Sequence, residues 1–497
     1  MATAKDAAAG GVAGKDAAKA VVTLETPAAG AVGVREAEYY ERLMPRWRYD
    51  VRQRLLRNLE GEMDMLQRIQ KRWRTPFRDE YFVKSSLLGT HTFFMVFLPL
   101  WFWYGLPEVG RGLLYVLAAG AYATSALKDA FSVPRPLSPP IVRLSVGSHA
   151  LEYGFPSTHS SNACSMALFA GEQLLRRNTG EQAWLNPVGV VLLAVFAWSV
   201  TFGRLYTGMH SLCDVLTGST IGTLLWLSYS RYSDALHALI SHSGWTGTLS
   251  TISILLFVLS THPEPAEPCP CFEDTVAFLS VVQGAMIGSA FSPRERPTAT
   301  VGWEWQSGEE VAVWVGAVLV KLIGGISAIL VWRIIAKQAC HAVLPPLFRF
   351  FAPIIQLPRR GYQKATEYES YPPEAKLDPV PSILDLPSLV DDSHVSSSAT
   401  SSSLLPSASE RLRARTAASS AFTASTSAAS SPGGSAPPSP RLPLALSKPS
   451  PQSAAHLEEE HKDADVLTKV IVYAGIGWIA TIALPSLFER AGLSVWQ

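Results

Sequence analysis

Three short polar clusters interrupt the apolar part of this 497-residue chain, and they carry the residue types that phosphate chemistry needs. The first pairs Lys128 with Arg135 and Pro136, the second is Pro156-Ser157-Thr158-His159, and the third joins Arg204 to His210 and Asp214. Three cations can neutralise phosphate oxygens, two imidazoles can move protons or attack phosphorus, and a carboxylate can orient one of them.

Spacing sharpens this. His210 and Asp214 are four apart at the start of an expected helix, so they share a face on which the carboxylate can accept one imidazole N–H and turn the other nitrogen toward a substrate. Arg204, six residues earlier, offers a planar fork of donors. Ser157 and Thr158 open a helix whose first turn leaves N–H groups and the positive dipole end exposed, a natural partner for phosphate oxygens, and His159 adds a proton donor. Each cluster alone has a plainer reading. Lys128 and Arg135 can be snorkelling cations, Ser157 or Thr158 an N-cap, and His210 with Asp214 a structural hydrogen bond.

The elements that must position these groups are membrane helices. Hydrophobic residues make up 48% of the chain against 17% charged, with mean hydropathy +0.16. Apolar stretches occupy 85–105, 111–130, 159–176, 187–206, 211–230, 248–262, 274–291, 311–334 and 467–487. The expected fold is therefore all-α: a polytopic membrane protein, a helical bundle of about 8–10 spans. On an alternating path the second segment ends at the first cluster, the third starts at the second, the fourth ends at Arg204 and the fifth starts at His210. All four helix ends then share one membrane face.

Composition divides the chain further. Residues 1–36 read as a disordered tail without a signal peptide, 37–83 as a basic amphipathic helical segment, 84–232 as the catalytic transmembrane core, and 233–357 as an additional transmembrane region. A disordered Ser/Pro-rich insertion is expected over 358–465, then a C-terminal span within 466–497. The 37–83 segment fits two placements, on lipid headgroups or packed on the protein's own loops. The piece 343–357 reads as re-entrant or interfacial.

Net charge of +1, with no basic block beside stacking aromatics, excludes a nucleic-acid partner. Five cysteines form neither a disulfide framework nor a zinc pattern, and Cys269 and Cys271 are too close for an ordinary disulfide with each other. No carboxylate cluster suits Mg2+, so neither metal nor cofactor is expected, and activity should survive EDTA. The partners expected are a lipid phosphate substrate and membrane lipids; no motif identifies a protein partner.

The spacings Lys128-x6-Arg135-Pro136, Pro156-Ser157-Thr158-His159 and Arg204-x5-His210-x3-Asp214 resemble the three signatures of the type-2 phosphatidic acid phosphatase superfamily, which includes vanadium haloperoxidases. Glu152 through His159 and Arg204 through His210 are similar to its sphingosine 1-phosphate phosphatase branch, with the fungal long-chain base 1-phosphate phosphatases; the resemblance covers roughly 70–335. It implies a lipid phosphatase core in which Lys128, Arg135, Ser157, Thr158 and Arg204 bind phosphate. His210, held by Asp214, forms a phosphohistidine while His159 acts as acid and then base. It also implies sphingoid base 1-phosphates as substrates, with phosphatidate or isoprenyl phosphate as the rival class. A non-catalytic lipid transporter or scramblase would use a similar charged pocket.

Thr158 replaces the superfamily's usual Gly, as this branch does, and Gly203 stands where Ser is common, which would forgo one phosphate hydrogen bond. Glu152 is a candidate partner for a substrate ammonium, against the plainer reading of an exposed loop carboxylate. Basic residues divide on orientation. Those from 46 to 74, with Arg333 and Lys337, put the catalytic face in the cytosol, whereas Arg176, Arg177 and Arg231 favour the reverse. The resemblance implies an endoplasmic reticulum membrane protein with a lumenal catalytic face.

Overall fold

Capping residues set the helix starts that frame the site. Thr75 accepts the Arg78 N–H with Pro76 in the first turn, and Thr90 accepts the Phe93 N–H, so two helices begin where backbone donors would otherwise be unpaired. The protein, seen in a computed structural model, is described over residues 23–24, 32–145, 152–177, 183–242, 244–267, 269–291, 308–351 and 463–493. These residues belong to a single compact unit. The tail expected over 1–36 and the insertion expected over 358–465 lie almost wholly outside them.

The helices are α1 (Ala37–Leu43), α2 (Arg46–Trp73), α3 (Pro76–Ser86), α4 (His91–Trp103), α5 (Pro107–Phe131) and α6 (Thr158–Arg177). They continue as α7 (Leu185–Tyr206), α8 (Leu212–His242), α9 (Gly244–Ser260), α10 (Cys271–Phe291) and α11 (Gly308–Phe351). The last, α12, joins Asp463–Trp478 to Leu484–Arg490 through a π-helical turn at Ile479–Ala483. The strand content described is a two-residue antiparallel pairing, Thr23–Leu24 with Leu144–Ser145.

Every apolar stretch foreseen in the sequence holds a helix, and the chain is an all-α, multi-pass membrane protein. By length and hydropathy four helices qualify alone among the described residues: α7, α10, α11 and α12. A fifth forms if α3 and α4, bent by 54° across the turn Leu87–Gly89, are one broken span. The difference from about 8–10 has a physical origin. Helices α5, α6 and α8 are 25, 20 and 31 residues long, but they carry Lys128 and Asp129, the polar run Thr158–Asn162, and Asp214, Arg231 and Asp234. Polar function lowers their hydropathy. The α9 helix is apolar but only 17 residues long, and α11 continues through Pro345 and Pro346 to Phe351, so the first part of 343–357 extends a long helix.

Helix α5 is the hub. Leu113, Leu117 and Ala121 pack with Phe94 and Leu98 of α4, Phe169 of α6, Ile240 of α8, and Phe278 and Ala285 of α10. A second cluster ties α12 to α4, α10 and α11 through Val472, Tyr473, Ile476, Phe102, Ala277 and Ile329. One face of helix α2 packs on the protein's own loops and helix ends. Leu59 is buried with Val133 and Phe155, and Leu66 with Ile141, Leu205 and Val215. Arg48 donates to the carbonyls of Asp129 and Ala130 at the end of α5, and Glu62 accepts the Leu212 and Cys213 N–H groups at the start of α8. Each charge complements the helix end it meets.

Candidate active site

The first cluster forms where α5 stops. Ser132 adopts left-handed backbone, φ 50°, and its N–H returns to the Lys128 carbonyl, turning the chain out of the helix just after Lys128. Val133 then accepts the Gly154 N–H at 2.8 Å, which lays the second loop against the first. A side chain at Gly154 would place Cβ 2.7 Å from the Pro134 carbonyl oxygen, so this approach requires glycine. Across the junction Glu152 bridges two cations. One carboxylate oxygen meets Lys128 Nζ, the other accepts Arg135 Nη2 at 2.7 Å, and the Glu152 carbonyl accepts Arg135 Nε at 3.0 Å. Burial raises the Glu152 pKa, but Lys128 and Arg135 outweigh it and hold the carboxyl well below its usual range. Glu152 therefore already has two cationic partners, which displaces the reading of it as an ammonium receptor.

In the second cluster Ser157 is an N-cap, as its plainer reading has it: its hydroxyl oxygen accepts the Ser160 N–H at 3.3 Å and the Ser160 hydroxyl at 2.9 Å. Thr158 is drawn inward, accepting Lys128 Nζ at 3.0 Å and pairing with the Thr124 hydroxyl at 3.0 Å. The Ser157 N–H donates to the Asp214 carbonyl, and Gly218 and Gly222 leave no space for a side chain against the Ser157 and Ser161 carbonyls. Helices α6 and α8 therefore meet backbone to backbone. The imidazole of His159 lies against Gly89, where an added Cβ would stand 2.6 Å from its Cδ2.

The third cluster turns on Gly208, which takes φ +68° after α7 ends. The Arg204 carbonyl then accepts both the Met209 and the His210 N–H, fastening the two functional residues through their backbones. His210 Nδ1 lies 2.8 Å from the Gly154 carbonyl. Asp214 Oδ2 is 3.7 Å from the same nitrogen, beyond hydrogen-bond reach, and accepts the Ser211 N–H at 2.7 Å instead. The Ser211 hydroxyl accepts the Asp214 N–H in return, a reciprocal cap on α8. This corrects the expectation that Asp214 would hold the imidazole directly. A carbonyl oxygen can only accept, so Nδ1 carries the proton and Nε2 keeps its lone pair.

All three clusters converge. Burial first, then the charges of Arg204, Arg135, Lys128 and His159, push the His210 pKa well below its ordinary value, so the buried imidazole is neutral. Among the described residues, Arg204 Nε and Arg135 Nη1 are buried donors with no hydrogen-bond partner. Such donors beside a neutral imidazole suit a tetrahedral oxyanion. Gly203 points elsewhere: a Cβ there would meet Phe82 of α3 at 3.2 Å. Its lack of a hydroxyl is a packing matter.

Among the described residues, the grouping able to hold a metal is Asp129 with Cys269 and Cys271, none of them a member of the three clusters. The two sulfurs are paired in a disulfide, contrary to the expectation from their spacing.

Sequence reasoning missed the Gly154 carbonyl, Glu62, and the clamp in which the Tyr153 hydroxyl exchanges hydrogen bonds with the Glu267 backbone. Glycine between two aromatics at 153–155 was the available signal of close backbone approach. Glu62 acts across 150 residues of sequence and left no local signal.

Residues 109–237, which contain all three clusters, match the PAP2 superfamily model. The chain is 34% identical over 321 residues to a dihydrosphingosine 1-phosphate phosphatase of Schizosaccharomyces pombe, covering 64% of this chain and 77% of the relative. It is 33% identical over 322 residues to a dihydrosphingosine 1-phosphate phosphatase of Saccharomyces cerevisiae, with the same coverage. A human sphingosine-1-phosphate phosphatase 2 is 33% identical over 205 residues, 41% of this chain and 50% of the relative. No solved structure matches.

Proposed function

The chain belongs to the PAP2 superfamily and is a lipid phosphate phosphatase, and on that premise we propose that it hydrolyses sphingoid base 1-phosphates through a phosphohistidine on His210. The observation that carries this reading is the fixed tautomer of His210, with Nδ1 spent on the Gly154 carbonyl and Nε2 left as nucleophile amid Arg204, Arg135 and Lys128. Sphingoid bases are favoured because the relatives in two fungi and in human carry that substrate in their names.

In the first step Nε2 attacks phosphorus, the P–N bond forms as the ester P–O bond breaks, and His159 gives its proton to the departing alkoxide. Lys128, Arg135 and Arg204 bear the charge of the equatorial oxygens, while Ser157 and Thr158 at the start of α6 orient them. In the second step His159 takes a proton from water, the hydroxide attacks phosphorus, the P–N bond breaks, and inorganic phosphate leaves with His210 neutral again. Asp214 acts by capping the turn that carries His210. Fixed cations take the role a metal would have, and the activity is expected to persist in EDTA.

The enzyme resides in the endoplasmic reticulum membrane with its catalytic end in the lumen. The motif resemblance favours this placement. Glycosylation acceptors inserted between 140 and 150 test it: modification is expected, and none would put the site in the cytosol.

Purified protein in detergent should release phosphate from dihydrosphingosine 1-phosphate, and His210→Ala should abolish release while keeping its thermal transition. Phosphate release by His210→Ala at the wild-type rate would refute the assignment.

A further inference from the structure

Outside the phosphate site, a groove of about 590 Å³ opens between α3 and α7. Its walls are two helix faces read at helical spacing: Phe77, Glu80, Tyr81, Lys84, Ser85 and Leu88 on one side, and Leu192, Val195, Phe196 and Ser199 on the other. The Tyr81 and Ser199 hydroxyls bond across it at 2.7 Å. Helix α7 is a membrane span, and Leu192 and Val195 are exposed on it, so that wall faces lipid, while the exposed Lys84–Glu80 ion pair makes part of the α3 wall polar.

Both walls lead to the catalytic groups. On the α3 side Leu88 is followed by Gly89, whose missing side chain makes room for the His159 imidazole. On the α7 side Ser199 precedes Arg204 by five residues, a rise of about 7.5 Å along the helix. Chemistry supplies the link, because His159 protonates the leaving oxygen and the carbon chain bound to that oxygen must run outward from it. The lining of the groove reaches Leu88, the residue before the Gly89 that packs on His159.

We propose that the α3–α7 groove is the binding site for the aliphatic chain of the substrate's leaving alcohol, a single-chain amphiphile entering sideways from the bilayer. This deepens the phosphatase reading and rests on it. Its apolar side chains, Phe77, Leu88, Leu192, Val195 and Phe196, hold the chain while the phosphate meets Arg204 and Lys128, so selection among lipid phosphates is made by chain length and number as well as by headgroup.

The test compares Val195→Trp with Val191→Trp, which lies on α7 but does not line the groove. Val195→Trp is expected to lower kcat/KM on a long-chain sphingoid base phosphate relative to a short-chain alkyl phosphate by about tenfold or more, and Val191→Trp to leave that ratio unchanged. Equal effects of Val195→Trp on both substrates would overturn the groove. A sphingoid base phosphate carrying a photoreactive group on its chain, bound to His210→Ala, separates this from the premise. Labelling of 77–88 and 192–199, competed by unlabelled lipid phosphate, supports the groove even if turnover fails. Label elsewhere, or label that is not competed, overturns it even if the wild type is an active phosphatase.

Discussion

His210 Nδ1 and the Gly154 carbonyl, 56 residues apart in sequence, meet at 2.8 Å and fix which imidazole nitrogen faces the substrate. The contact exists because Gly154 also donates to Val133, so the turn after α5 and the turn before α6 move as one piece. Gly154→Ala would force its Cβ into the Pro134 carbonyl and shift that piece. We expect kcat to fall about 100-fold with a smaller change in KM, as for a displaced reacting group. Asp214→Asn, which can keep the cap on Ser211, should lose less. Steady-state kinetics of the two variants, with thermal melts as folding controls, check the order; a greater loss in Asp214→Asn would restore the carboxylate as the principal orienter.

The electrostatics set the pH dependence. His210 attacks only when Nε2 is unprotonated, and burial with the surrounding cations places its pKa well below 6.5. The neutral form therefore persists as pH falls past that value, and the acid limb of kcat/KM due to this group lies below pH 6.5. Arg135→Gln removes one of the charges that lower the pKa, so the limb should move up toward 6.5 while KM rises. A pH–rate profile of both proteins measures this; a downward or absent shift contradicts the assignment.

Glu152 occupies two cations that a phosphate dianion would also seek, so it competes with substrate oxygens for Lys128 and Arg135. Glu152→Gln should tighten inhibition by orthovanadate, a phosphate analogue, by about tenfold, the factor that about 1.4 kcal/mol of recovered charge–charge attraction supplies. Inhibition constants from dose–response curves check it. Weaker vanadate inhibition would mean that Glu152 organises the cations rather than competing for them.

Gly203 is a packing position in this account. Gly203→Ser brings Cβ within 3.2 Å of Phe82, so the variant should gain no activity from its added hydroxyl and lose a little stability. Specific activity and melting temperature measure the two effects; a clear rise in kcat would place the hydroxyl on the phosphate.

Much of the site was legible because its residues sit at helix ends, where capping, dipole and charge follow local rules. Lys128, Ser157, Arg204 and His210 could be placed from apolar segment boundaries alone, and the structure brings their clusters together. What escaped was non-local. The partner of His210 is a backbone carbonyl in another loop, and a main-chain acceptor has no residue type to read. Asp214 was assigned to His210 from i,i+4 spacing, but the first turn of α8 offered it an unpaired N–H at Ser211, a nearer partner. Segments α5, α6 and α8 were legible as apolar stretches, but their polar residues, Lys128 and Asp129, Thr158 to Asn162, and Asp214, keep them below a hydropathy threshold for spans.

The central claim is covalent chemistry at His210. Wild-type protein mixed with sphingoid base phosphate labelled at phosphorus, quenched with alkali within one turnover and digested, should yield an acid-labile phosphopeptide that maps to His210 and is absent from His210→Asn. Full phosphate release with no labelled protein at any quench time, or label on His159 instead, would contradict it.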